Sequence, residues 1–132
     1  MNKPPKDDAR YAWTSHVWTK MRQYGISESR IKRIIRFPKR REVGIAEGTV
    51  AVMQPSNPVT AGGVPTWRQE IWVMYKLEKK KGMEKLGRAA KVFASLPQAR
   101  RIKVITAWRY PGISPKRDPV PHEIIEEVQR LL

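Results

Sequence analysis

Apolar residues recur at helical spacing in three stretches of the chain and alternate at strand spacing in others. Trp13, Val17, Trp18, Met21 and Tyr24 lie one, three or four apart, the stripe of an amphipathic helix that Gly25 ends. Ser27 stands at an N-cap position and Glu28 suits the positive end of the first turn. Ile31, Ile34 and Ile35 then form the buried stripe of a second helix, which Pro38 stops. Beyond it the texture is β: Arg40 to Ile45 and Gly48 to Met53 read as paired strands about an Ala46-Glu47-Gly48 turn. Gln54 to Thr66, with three Pro and two Gly, reads as a loop. Gln69 to Leu77 alternates, Ile71, Val73, Tyr75 and Leu77 against Trp72, Met74 and Lys76. In Arg101 to Arg109, Ile102, Val104, Thr106 and Trp108 are predicted on one face and Lys103, Ile105, Ala107 and Arg109 on the other. Ile124, Ile125, Val128, Leu131 and Leu132 give residues 121–132 a helical stripe.

These elements predict an α+β domain: two N-terminal helices, a four-stranded mostly antiparallel sheet and a C-terminal helix. Residues 78–100 form a basic insertion between the last two strands, with a short helix expected over Met83 to Leu96. Residues 1–12, rich in Pro and charge, are expected to be a loose arm.

A length of 132 residues suits one domain spanning 1–132, and 40% hydrophobic residues with five Trp, four Tyr and two Phe supply a core. No window approaches the roughly 18 apolar residues of a membrane span, so a soluble, cytoplasmic protein without a membrane partner is expected. The absence of cysteine excludes disulfides, thiolate metal sites and cysteine nucleophiles. With two histidines and few carboxylates, no metal or other cofactor is expected.

Charge changes the picture most. Lys plus Arg number 27 against 12 Asp plus Glu, a net charge of +15, well above the magnitude of about 2–8 that solubility asks of a small domain. Such a field favours polyanions, nucleic acid foremost, with an acidic protein as the alternative. The surplus is concentrated: Lys20 to Glu42 holds nine basic residues against two acidic ones, and Glu78 to Lys103 the same. The candidate phosphate contacts are Arg22, Arg33, Arg36, Lys39, Arg40, Arg41, Arg68, Lys79, Lys80, Lys81, Arg88, Arg100 and Arg101, with Trp67, Trp72 and Trp108 as candidates for base stacking. Each basic run reads equally as solvated charge, and each Trp equally as core.

The run Ser15-His16, Met21-Arg22, Gly25-Ile26-Ser27, Ile31, Ile34-Ile35 and Pro38, closed by the strand Val104-Ile105-Thr106-Ala107, resembles a group of small bacterial and phage domains similar to the BrnT and RelE type of toxin ribonucleases. The resemblance covers about Trp13 to Ile45 and Arg68 to Tyr110. Tyr24 and Trp108 depart from the pattern, and the 78–100 insertion lies outside it. It implies a barnase-like fold, RNA or the ribosome as target with DNA as the alternative, and an acidic antitoxin as a protein partner.

Metal-free RNA cleavage needs a base for the 2′-hydroxyl, cations for the developing phosphorane charge and an acid for the leaving oxygen. His16 is the candidate acid or base, with Lys103 and Arg109 as the cations beside it. The competing readings are that His16 pins its helix to the sheet and that Lys103 and Arg109 are the solvent face of a strand. A non-catalytic nucleic-acid-binding or protein-docking accessory protein of a phage or mobile element is the alternative to a ribonuclease.

Overall fold

The computed structural model describes residues 3–79, 100–116 and 120–131. The chain runs β1 (Tyr11–Trp13), α1 (Ser15–Tyr24), α2 (Glu28–Arg36), β2 (Arg40–Val43), β3 (Thr49–Ser56), β4 (Val59–Ala61), β5 (Val64–Thr66), β6 (Gln69–Lys79), β7 (Arg100–Pro111) and α3 (His122–Leu131). It is an α+β fold. Five strands form one sheet in the order β1-β7-β6-β3-β2, and β4 and β5 form a separate two-stranded ribbon.

All four predicted strands are present, and two expectations about the elements are corrected. The arm ends before Tyr11, because Tyr11 to Trp13 pair in parallel with Ile102 to Val104 and bury Tyr11 and Ala12. This fifth strand makes the sheet mixed. Three residues are too few to display alternation, and Trp13 also continues the helical stripe of α1, so the pattern there favours helix. The stretch from Gln54 to Thr66 is no plain loop: β3 runs on to Ser56 and the rest folds into the β4–β5 ribbon. The short helix expected over Met83 to Leu96 lies outside the described residues.

Local signals set the helix ends. The Thr14 hydroxyl caps α1 by accepting from the Val17 N–H, and Gly25 closes that helix at φ +66°, the left-handed conformation that glycine adopts without a Cβ clash. Ser27 caps α2 by accepting from the Arg30 N–H. Each cap contributes about 1 kcal/mol.

The sheet is covered on both faces. Val52, Ile71, Val73, Tyr75, Val104 and Ala107 pack against Val17, Met21, Ile26, Ile31 and Ile34 of the N-terminal helical region. On the other face Ala51, Met53, Trp72, Met74 and Trp108 pack against Ile124 and Val128 of α3. Trp72 and Trp108 are paired across β6 and β7, stacked at 5.9 Å and fully buried. These two cannot stack nucleobases, which corrects their assignment as base-stacking candidates.

One bulge sets the geometry that follows. Met74 pairs with Thr106 but Tyr75 pairs with Val104, so Ile105 is an extra residue in β7. Side chains beyond it change phase. Arg109 lies opposite Ile71 on the α2 face, whereas Lys103 lies opposite Lys76, which alternates onto the α3 face with Thr106 and Trp108. The expected single face for Lys103 and Arg109 is therefore incorrect.

Candidate nucleic-acid interface

The Thr14 hydroxyl donates to the bulge carbonyl of Ile105 at 2.8 Å while it caps α1, which locks that helix to the edge of β7 where β1 ends. At this end of α1, His16 Nε2 meets the buried Thr106 hydroxyl at 3.0 Å and Glu127 of α3 at 3.5 Å. Lys20, a buried cation, donates to Glu127 Oε1 at 3.0 Å and lies 2.7 Å from Oε2 of the same carboxylate. His16 thus joins α1, the sheet and α3. Burial, and after it the Lys20 charge, outweigh the Glu127 carboxylate and hold the His16 imidazole below its usual pKa of 6.5. A folded-state pKa below the unfolded one favours neutral His16. The associated stability is present above about pH 6.5 and lost as pH falls through the folded value. The urea midpoint should therefore drop between about pH 7.5 and about pH 5.5, and drop less in His16→Asn. An equal fall in both proteins would remove His16 from this role.

At the other end of α1, Arg109 Nε donates to the Tyr24 carbonyl at 2.8 Å and its Nη1 to Gln69 Oε1 at 2.9 Å. His16 and Tyr24 are eight residues apart, about 12 Å along a helix. The three candidate catalytic residues are accordingly dispersed: His16 at one end of α1, Arg109 at the other, and Lys103 exposed on the opposite face from Arg109. That dispersal corrects their assignment as one catalytic group.

Arginines converge instead. Arg30 Nη2 donates to the Pro55 carbonyl at 3.2 Å, and its Nε is buried without a partner among the described residues. Burial, then the like charges of Arg33 and Arg109, lower its pKa from the ordinary guanidinium value. Arg30, missed in the sequence as a site residue, thus joins Arg33 and Arg109 around the ends of β3, β6 and β7. Its i, i+3 spacing from Arg33 was the available signal. None of the three has a carboxylate partner within 4 Å among the described residues. The patch adjoins a groove of about 650 Å³ lined by Ser56, Asn57, Val59, Thr66, Trp67, Arg68 and Gln69. Gln69 belongs to both, since it lines the groove and receives Arg109. A second groove of about 580 Å³ lies between the N-terminal arm and the start of α2, lined by Lys3, Pro5, Trp18, Met21, Ser27, Glu28 and Ser29.

The other candidates divide by environment. Arg36, Lys39, Arg41 and Arg68 are exposed, and Arg22 is exposed with its guanidinium 5.1 Å from the Trp18 ring. Arg101 is half-buried and bonded to Glu78 at 3.1 Å, and Arg100 is exposed at the start of β7. The Lys79 backbone ends β6; Lys80, Lys81 and Arg88 lie outside the described residues.

Arg40 is corrected to a structural role. Its guanidinium donates to the Ser114 carbonyl and hydroxyl, the Pro115 carbonyl and Glu42, and stacks 5.1 Å from the Trp72 ring. Beside it the fully buried Glu70 accepts from Trp67, Trp72 and Ser114. Trp67 is half-buried, with its indole N–H committed to Glu70.

No group of three His, Asp or Glu among the described residues is arranged to hold a metal ion. No helix among them is long and apolar enough to cross a membrane. Compared with known proteins, the chain matches no family model, no curated protein and no solved structure.

Proposed function

We propose that the protein binds nucleic acid, RNA foremost, through the arginine patch at the ends of β3, β6 and β7. The observation that carries this reading is the convergence of Arg30, Arg33 and Arg109 without a carboxylate partner among the described residues. Guanidiniums held beside one another repel, and they are stabilised when an anion with several oxygens bridges them. A phosphate backbone is such an anion, repeated. The exposed Arg36, Lys39, Arg41 and Arg68 extend the positive surface from this patch, and the net charge of +15 supplies long-range attraction. RNA is favoured over DNA by the likeness to the BrnT and RelE group. The dispersal of His16, Lys103 and Arg109 favours binding over cleavage.

The test is fluorescence anisotropy of a labelled single-stranded RNA, titrated with protein across a salt series. Binding that weakens linearly in log affinity against log salt, with the RNA left intact on a gel, is the expected result. Absence of binding at low salt overturns the reading, and cleaved RNA overturns the preference for a binder over a nuclease.

A further inference from the structure

We infer that Phe37 is a stacking platform for an unpaired base, so that the arginine patch takes a single strand in preference to a duplex. This rests on the reading of the patch as a nucleic-acid site. Phe37 caps the C-terminal end of α2 with 71% of its surface exposed. Every other Phe, Tyr or Trp among the described residues is buried or half-buried.

The ring is presented by a fixed backbone. Its N–H donates to the Arg33 carbonyl at 2.9 Å, and Gln54 Nε2 donates to the Phe37 carbonyl at 2.9 Å and to the Arg33 carbonyl at 3.3 Å. Gln54 thereby ties the end of α2 to β3, next to the Pro55 carbonyl that receives Arg30. Arg30, Arg33 and Phe37, spaced i, i+3 and i+7, form one ridge about 10 Å long. Exposed cations, Arg36 and Lys39, flank Phe37 in the chain.

An exposed apolar ring flanked by cations suits a ligand that is both flat and anionic. A nucleotide has both properties: its base offers a π face and its phosphate sits on an arginine. Bases within a duplex are already stacked on their neighbours and offer no free face, so the ring adds affinity for single strands alone. The basic surroundings disfavour a basic partner peptide, and a neutral apolar peptide would leave the cations unused.

The experiment measures binding of single-stranded oligouridylate and of an RNA duplex of equal length to the full chain. Phe37→Ala should weaken single-strand binding about tenfold or more while leaving duplex binding and the salt slope unchanged. Phe37→Trp should retain or tighten single-strand binding, because the larger ring stacks at least as well. Phe37 belongs to neither core, so both variants keep the fold, which circular dichroism verifies. Unchanged single-strand affinity in Phe37→Ala, or an equal loss for single strand and duplex, overturns the platform while leaving the arginine patch standing. Wild-type protein that binds neither RNA overturns the patch reading on which the platform rests.

Discussion

Replacing Glu70 with alanine should lower the unfolding free energy by about 3–5 kcal/mol, the cost of removing one partner from a buried charged network. The Glu70 carboxylate is fully buried and accepts from the Trp67 and Trp72 indoles at 2.8 and 2.9 Å and from the Ser114 hydroxyl at 2.5 Å. Arg40 lies 3.8 Å away and holds the same Ser114 through its hydroxyl and carbonyl. Truncation leaves two indole donors and one hydroxyl without their shared acceptor and removes the carboxylate that faces the half-buried Arg40 guanidinium. It also removes one of the two grips on Ser114 and so loosens the segment after β7, which Arg40 alone then holds. Urea denaturation checks this: the midpoint should fall with little change in slope, and a loss below about 1 kcal/mol would show that water replaces the carboxylate.

The same group gives the acid limb of stability. Burial raises the Glu70 pKa, but the hydrogen bonds from Ser114, Trp67 and Trp72 outweigh it and hold the carboxyl below the usual carboxylate range. With the folded value below the unfolded one, the contribution is complete above the unfolded pKa, near 4.5, and is lost as pH falls through the folded value. Glu70→Gln should therefore be weaker than wild type at neutral pH and should lose less stability on acidification through that window.

The second large effect concerns binding. Replacing Arg30, Arg33 and Arg109 together with glutamine should reduce the salt slope for single-stranded RNA by about 2, since each phosphate contact on a single strand contributes roughly 0.7. At about 50 mM salt the same loss corresponds to roughly two to three orders of magnitude in affinity. Arg109 also supports the Tyr24 carbonyl, so part of a loss in the triple variant could come from a loosened α1. Arg33→Gln resolves this, because Arg33 is exposed: it should lower the slope by about 0.7 with no change in thermal midpoint. An unchanged slope in both variants would place the RNA elsewhere on the positive surface.

Much of the local structure was legible in the pattern. The pattern does not mark Thr14 as a cap, yet Gly25, Ser27 and Glu28 mark the helix ends that form. The alternation in β6 and in the first half of β7 matches the faces that become buried. What escaped the pattern depends on contacts between distant segments. Strand β1 exists because the edge of β7 is available to Tyr11, Ala12 and Trp13, and nothing within those three residues signals it. The bulge at Ile105 leaves the composition of β7 unchanged, yet it moves Arg109 onto the face opposite Lys103. The same contrast holds at the site. Arg33 and Arg36 stand out by charge, but Arg30 and Arg109 come within range of each other's charge only because α1 packs along β7 and α2 against β3 and β6.

Local pattern was enough to set the class of the fold, the places of its principal helices and strands, and a positive charge concentrated in two segments. These follow from local periodicity, capping chemistry and composition, each of which acts within a few residues. Tertiary structure decided which charges remain available. It committed Arg40 to Ser114 and Glu42, placed Lys20 against Glu127, buried Trp72 and Trp108, and left Phe37 uncovered beside an arginine cluster. The physical reason is that a residue's availability depends on what the packed chain brings to it, and side chains far apart in sequence supply most of those neighbours.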